Sequence, residues 1–356
     1  MNCCVKCFTD IEIQSIIGNK DIGNCDFCDK KNVHISDIQN NIALKESFER
    51  LLETYTPIIN MEQDFPKEKT DLLKNILSHQ WSIFNLKPDK IYNFLVQLLP
   101  DKYEEEPHLF DSAVGIKGSI QDDYLRQYSI LGTASWDDFV KEIKTSNRFH
   151  TTVINKGIFE KVLRTACKKY NKGSKFYRAR IWTEGTGFDI NQMGAPPVDR
   201  ASAGRANPDG ISCLYLANSI KTTLHETRAG LFDYATVAKF KLKEDITIVD
   251  LSAIDRLSPF NIENIDVIAA NLEHLKKIGY EISRPLRKHD SRLDYLPTQY
   301  ISDFIKSIGF DGIQYKSTMS TDGINIAVFD EKKLFCVETY DFDIDSINYG
   351  YKAKDD

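Results

Sequence analysis

Phe176-Tyr177-Arg178-Ala179-Arg180-Ile181-Trp182 is the stretch whose reading decides the fold. Alternation puts Phe176, Arg178, Arg180 and Trp182 on one side of an extended strand, and two guanidiniums among aromatic rings define a candidate anion site. Downstream, Gly204-Arg205-Ala206-Asn207-Pro208-Asp209-Gly210 breaks every period and supplies backbone amides free of bulky side chains, so it reads as a loop that a ligand can approach. Cys213 to Ala217 is an apolar run of strand length, and Ser219 is an N-cap for a helix through Leu224, His225 and Glu226. On that helix Glu226 lies near the Thr222/Thr223 side rather than on the Ile220/Leu224/Thr227 stripe, so its carboxylate can point back over the sheet edge. The alternative is a surface glutamate paired with Lys221 or Arg228.

Farther on, Thr236–Leu242 and Ile246–Leu251 read as strands and Ile265–Ile278 as one helix. Leu296-Pro297 opens another helix with proline in a permitted first-turn position. Asp311-Gly312 turns the chain into a strand at Ile313–Lys316, and Gly323–Phe329 gives one more. Strands interleaved with helices in this way predict an α+β domain on a split, largely antiparallel sheet. After about Val337 the chain becomes acidic, through Tyr340-Asp341-Phe342-Asp343-Ile344-Asp345, and reads as a tail without regular structure.

These segments resemble the RES domain family, named after its Arg, Glu and Ser. Arg178 matches the family's arginine, Glu226 its glutamate, and Ser317, in Gly309-Phe310-Asp311-Gly312-Ile313-Gln314-Tyr315-Lys316-Ser317, its serine; Asn325-Ile326-Ala327-Val328-Phe329 also fits. The resemblance runs from near residue 170 to near 335 and rests on several ordered motifs. One departure is Ala206, where the family's Gly-Arg-Trp-Asn loop has tryptophan. The resemblance implies an ADP-ribosyltransferase-like fold and a toxin that consumes NAD. It makes Arg178, Glu226 and Ser317 the candidate catalytic residues. Breaking the nicotinamide-ribose bond develops positive charge on the ribose, which a carboxylate such as Glu226 stabilises. Arg178 and Arg205 suit the pyrophosphate, as guanidiniums bind it bidentately. Tyr215 offers a ring for nicotinamide or a hydroxyl for ribose, and Ser317 a hydrogen bond to ribose or phosphate rather than a nucleophile. Tyr177, Asn207 and Asn325 are further candidate substrate contacts; either asparagine could instead satisfy its own turn. Gln299 is a weaker one.

At the other end, Cys4-x2-Cys7 and Cys25-x2-Cys28 stand 17 residues apart, the spacing of two thiolate knuckles on a tetrahedral zinc ion. Four thiolates leave no open position, so the zinc is expected to be structural. Cys3 and His34 are spare ligands. A small zinc module also resembles the N-terminal region of some RES proteins. From Ile42 the pattern is helical: Phe48, Leu51, Leu52 and Tyr55; Leu72, Leu73, Ile76, Leu77 and Trp81; Ile91, Phe94, Leu95, Leu98 and Leu99. Trp81 and Phe84 read as core, Asp101 to Glu106 as a solvated acidic run. A helix begins at Trp136, and another spans Ile158–Tyr170, with Lys168-Lys169 at its C-terminus. The expected organisation is thus α+β overall: a Cys4 zinc module at 1–40, an all-α region at 41–165, a RES catalytic domain at 166–340 and an acidic tail at 341–356.

With 46 Lys and Arg against 52 Asp and Glu, the chain has a net charge of -6, which argues against broad nucleic-acid binding and leaves room for a small anion in a local pocket. No apolar run has membrane-spanning length, the start lacks a signal-peptide core, and the cysteine usage is that of a reduced compartment; a cytoplasmic protein is expected. Gly185-Thr186-Gly187 lacks the third glycine of a dinucleotide fingerprint, so NAD has to be held differently from a dehydrogenase. Arg284 to His289 has the Arg-x4-His spacing of some helical ribonucleases in a poor, loop-like setting. The leading expectation is an NAD glycohydrolase or phosphorylase acting as a toxin or defence effector, with an inhibitory antitoxin or regulatory protein, or a second copy, as partner. The alternatives are an ADP-ribosyltransferase acting on a macromolecule and a non-catalytic protein that senses a nucleotide or binds nucleic acid or a partner.

Overall fold

The computed structural model describes residues 1–19, 21–261, 265–284, 291–320 and 322–347. The Arg-x4-His spacing ending at His289 therefore lies outside the described residues. The chain divides into two compact units: Met1–Trp136 with Thr152–Thr165 and Asp255–Lys276, and Asp137–Thr151 with Ala166–Ile254 and the chain from Lys277 onward. No helix among the described residues is long and apolar enough to cross a membrane.

In the first unit, strands β1 (Asn2–Cys4), β2 (Asp21–Gly23) and β3 (Val33–Asp37) form a sheet in the order β1-β3-β2. Asp10 caps the helix Ile11–Ile17 by accepting from Glu12 and Ile13 N–H. The helix Ile42–Leu52 buries Leu44, Phe48, Leu51 and Leu52, and Pro88–Leu98 buries Ile91, Phe94, Leu95 and Leu98. Phe8 and Phe27 of the cysteine module meet Phe94, and Phe48 packs on Phe84 and Phe94, with ring centroids 4.9 to 5.8 Å apart across this cluster. A module of some forty residues has little core of its own, and these rings give it a shared one. Trp81 is buried and donates to Tyr55 Oη at 2.7 Å.

The periodic run from Leu72 to Trp81 forms no single helix. β4 (Thr56–Pro57), β5 (Asp71–Leu72) and β6 (Ala113–Gly115) make a second small sheet, and a turn of α-helix, Leu73–Asn75, passes into a π-turn at Ile76–Gln80. Leu72 pairs with Ala113, and that pairing removes it from the helix its spacing suggested. The expected helix Ile265–Ile278 is two, Ile265–Ala269 and Leu272–Ser283. Asn271, fully buried, breaks it: its side chain donates to Tyr128 and Val267 carbonyls and accepts from Ile130 N–H.

The second unit is built on eight strands: β7 (Cys167–Tyr170), β8 (Lys175–Trp182), β9 (Leu214–Ala217), β10 (Tyr234–Leu242), β11 (Ile246–Asp250), β12 (Gly312–Lys316), β13 (Ile324–Val328) and β14 (Leu334–Asp343). They lie in the order β14-β10-β8-β9-β13-β12-β11-β7, antiparallel throughout except for β11 with β12. Between β8 and β9 the ladder holds at Tyr177 and Ala217 alone, so the sheet is split there. Phe176, Leu214, Leu216, Phe240, Ile248, Ile326 and Val328 form the core on one face, closed by Met193.

Two expectations change here. The Ile158–Tyr170 helix ends at Thr165, and Lys168 and Lys169 belong to β7, paired with Ile248 and Thr247; a vacant sheet edge outweighs the helical pattern. The acidic residues Asp341 and Asp343 belong to the edge strand β14 and pair with Thr236 and Tyr234. Thr236 Oγ1 donates to Asp341 at 2.5 Å, which gives this carboxylate a partner across the pair of strands.

Gly312 is required by close approach: a Cβ there would sit 2.3 Å from the Ala327 carbonyl oxygen on β13. Gly312→Ala is expected to destabilise the sheet by about 1–3 kcal/mol, seen as a lowered thermal midpoint of the intact chain. An unchanged midpoint would contradict this register.

Candidate active site

The site grows out of the split. Ser219 Oγ accepts from Thr222 N–H at 3.1 Å and starts the helix Ile220–Glu226, while Asn218 ties the turn to β13 through Ile324. Thr222 and Thr223 are the buried residues of this helix. Thr223 Oγ1 accepts from Ala179 N–H at 2.9 Å, taking a strand donor of β8. On the far side of the split, Arg178 Nη1 donates to the Tyr215 carbonyl of β9 at 3.1 Å. Side chains thus replace ladder bonds where the strands part.

Three residues beyond Thr223, Glu226 shares its helix face. Its Oε1 accepts from Ser317 Oγ at 2.5 Å and from Asn325 Nδ2 at 2.8 Å. Ser317 follows β12, bonded through its N–H to Gly323 O at 2.8 Å, and Asn325 is paired with Tyr315. Both bonds fall on Oε1, and among the described residues Oε2 accepts none. The Ser317 hydroxyl also accepts from Met319 N–H. The serine expected as a contact to ribose or phosphate is thus hydrogen-bonded to the glutamate, with Asn325 beside it.

Glu226 opens on a cleft of about 400 Å³, lined also by Arg178, Arg205, Tyr215, Arg228, Tyr295, Tyr315 and Asn325. Burial, and Arg180 secondarily, pull the Arg178 guanidinium down to about 10, which leaves it cationic at neutral pH. Its Nε is buried without a hydrogen-bond partner, a donor that an incoming anion would satisfy. The Arg205 guanidinium lies 5.5 Å from the Tyr315 ring centroid.

The Gly204–Gly210 loop is held from within and from behind. Asn207 Nδ2 donates to the Ser202, Pro208 and Ile211 carbonyls, and its Oδ1 accepts from Tyr215 Oη at 2.6 Å. Asn207, expected as a substrate contact, therefore ties the loop together from within. The Tyr215 hydroxyl also accepts from Ala206 N–H at 3.0 Å, and burial pushes its acidity well below that of a free tyrosine. Its ring lines the cleft, and its hydroxyl bonds within the loop. Tyr177, also expected as a substrate contact, is paired with Lys239, alternates to the face opposite Arg178 and lies outside the cleft lining. Gln299 donates to the Gly204 and Asn207 carbonyls, and Ser302 to that of Ala206. With Tyr215 and Ser302 gripping its backbone, Ala206 is fixed without a large side chain. Neither Thr223 nor Ser302 carries a sequence signal; each acts through backbone partners distant in the chain.

The first unit holds a separate constellation. The ligand atoms of Cys4, Cys7, Cys25 and Cys28 all lie within 4.8 Å of one another and could hold a metal ion. The sulfurs of Cys4 and Cys7 are 3.8 Å apart, and those of Cys4–Cys28 and Cys7–Cys25 3.5 Å. Four thiolates at about 2.3 Å from a tetrahedral centre would stand about 3.8 Å apart, so the geometry fits. Cys3 and His34 are not part of this group.

The RES domain family model matches residues 176–345, and this part of the chain carries a RES domain. Among solved structures, the chain is similar to one described as the crystal structure of the M. tuberculosis MbcT-MbcA toxin-antitoxin complex. That likeness has 15% identity and a TM-score of 0.34, covering 52% of this chain and 92% of the other. No curated protein matches the sequence.

Tyr215→Phe is expected to leave Ala206 N–H without its acceptor and to cost about 1–3 kcal/mol locally. Amide exchange at Ala206 and Asn207 should accelerate while that of β13 stays slow. Unchanged exchange at the loop would show that the hydroxyl does not hold it.

Proposed function

We propose that the C-terminal unit is an NAD-consuming enzyme that releases nicotinamide, with water or inorganic phosphate as acceptor, and that it acts as a toxin or defence effector. The observation that carries this reading is the Glu226 carboxylate, oriented on one oxygen by Ser317 and Asn325 and open on the other, in a cleft with arginines. In the reaction the C1′–N bond of the nicotinamide ribose breaks and its electron pair leaves with nicotinamide. The positive charge that develops on the ribose is stabilised by Glu226 Oε2. An acceptor oxygen then bonds C1′; with water, the surplus proton passes to solvent. Arg178 and Arg205 hold the pyrophosphate, the first with its free Nε–H and the second from the loop. Stacking against Tyr215 or Tyr315 would position the bases.

A carboxylate opposite a developing cation acts mainly in the transition state. Glu226→Gln should therefore keep NAD binding within several-fold and lower kcat by about two orders of magnitude or more. Titration calorimetry together with a nicotinamide-release assay tests this, and equal turnover in the two proteins would remove Glu226 from the mechanism. In cells, the active protein should deplete NAD and slow growth, and the variant should not.

For the first unit we propose that Cys4, Cys7, Cys25 and Cys28 bind one structural zinc ion. Bound zinc would cross-link the two knuckles and stabilise the fold around them. The double variant Cys25→Ser/Cys28→Ser should lose about one equivalent of zinc by metal analysis and melt at lower temperature. Unchanged zinc content would sink the assignment.

A further inference from the structure

The helix Leu296–Ser307 is entered through the short turn Arg292–Tyr295, whose last residue lines the cleft. Tyr295 has φ -81° and ψ -15°, so helical spacing already holds there. Four and seven residues on, Gln299 and Ser302 grip the carbonyls of the Arg205 loop, which puts Tyr295 on the helix face that meets that loop. On its other side Asp294 is pinned. Its carboxylate accepts from Ser291 N–H at 3.0 Å and from Lys144 Nζ at 2.5 Å, and both members of this ion pair are about three-quarters buried. Lys144 holds the Asp294 carboxyl below the usual carboxylate range. Tyr295 therefore faces the cleft from a backbone fixed on both sides.

Among the described residues three tyrosines line the cleft, and two are already engaged. The Tyr215 hydroxyl is bonded within the loop, and Tyr315 is 3% exposed with the Arg205 guanidinium against its ring. Tyr295 is half-buried; among the described residues its hydroxyl makes no hydrogen bond, and no ring or cation packs on its face. An uncovered aromatic face beside guanidiniums suits a nucleobase. The contacts also give the cleft an order. Glu226 is bonded to Asn325, Asn325 pairs with Tyr315, Arg205 lies against Tyr315, and the neighbouring Gly204 is held by Gln299, one turn from Tyr295. With the nicotinamide ribose at Glu226 and the pyrophosphate at Arg205, the adenosine end falls at Tyr295.

We propose that Tyr295 is the platform on which the adenine ring of the dinucleotide stacks, and that it sets the affinity of the site for adenine nucleotides. This rests on the NAD-consuming reading. Adenine takes no part in breaking the C1′–N bond and stays on the ADP-ribose product, so a stack on it stabilises ground state and transition state alike. Losing the stack should raise KM and leave kcat nearly unchanged. A tyrosine that only filled space at the start of the helix would be replaceable by any apolar side chain of similar size.

The test uses full-length wild type, Tyr295→Phe and Tyr295→Leu: phenylalanine keeps the ring, and leucine fills the place without one. KM for NAD should rise about tenfold or more in Tyr295→Leu, with kcat changed by less than about threefold, and stay within about twofold of wild type in Tyr295→Phe. Calorimetry adds two half-ligands, measured below the thermal midpoint of each protein so that a loss reflects the site rather than the fold. ADP-ribose, which has the adenine and no nicotinamide, should bind Tyr295→Leu about tenfold more weakly than wild type. Nicotinamide mononucleotide, which has no adenine, should bind the two alike. Equal KM and equal ADP-ribose affinity in wild type and Tyr295→Leu overturn the proposal. A loss confined to nicotinamide mononucleotide overturns it too, since the other base then sits there, as does a phenylalanine variant as weak as the leucine one, which assigns the effect to the hydroxyl. Should wild type release no nicotinamide, the catalytic reading fails on its own, and ADP-ribose decides Tyr295. Binding weakened in Tyr295→Leu and kept in Tyr295→Phe supports the platform; equal binding by all three proteins, or none by wild type, refutes it.

Discussion

The parting of β8 from β9 is the constraint on which the C-terminal unit depends. Two strands that separate inside a sheet expose backbone donors and acceptors that must find partners. Thr223 takes the Ala179 N–H, and Arg178 supplies the Tyr215 carbonyl. The gap opened by this exchange is the cleft. Arg178 is thus both a stitch across the split and a buried cation with an unsatisfied Nε–H, and these two roles explain why lysine would be a poor substitute: one ammonium cannot span the strands and still present a directed donor to an anion.

The opposite wall is organised by the same economy of partners. Glu226, Ser317 and Asn325 come from a helix, a strand end and a neighbouring strand, and converge on one carboxylate oxygen. Ser317 and Asn325 are nearly buried, so their bonds to Glu226 are shielded from water and hold the carboxylate in one pose. The loop bearing Arg205 is held by Asn207, Tyr215, Gln299 and Ser302, none of which needs to touch a ligand. A cleft built this way is organised before any ligand arrives, with little left to order on binding.

The first unit solves a different problem. Its N-terminal sheet consists of strands of three to five residues, too small to be stable alone. Phe8 and Phe27 reach the helical aromatic cluster, and four cysteine sulfurs gather at metal-binding distances. Shared core and thiol cluster are complementary ways to hold a short segment together.

By itself the sequence determined the features whose cause is local. The Phe176–Trp182 strand, the Ser219 cap, the Gly204–Gly210 loop and the paired Cys-x2-Cys motifs were all legible, because period, capping chemistry and spacing act over a few residues. Ordered motifs around Arg178, Glu226 and Ser317 also made the RES domain legible. Tertiary structure decided what depends on distant partners. Lys168 and Lys169 joined a sheet because β11 offered an edge, Asn271 broke a helix by bonding Tyr128 and Ile130, and Asp341 entered a strand opposite Thr236. It also turned Asn207 and the Tyr215 hydroxyl inward to the loop and brought Arg228 to the cleft. Each of these outcomes follows from a hydrogen bond or strand pairing across the fold, whose energy outweighs the weaker local preference that sequence alone expresses.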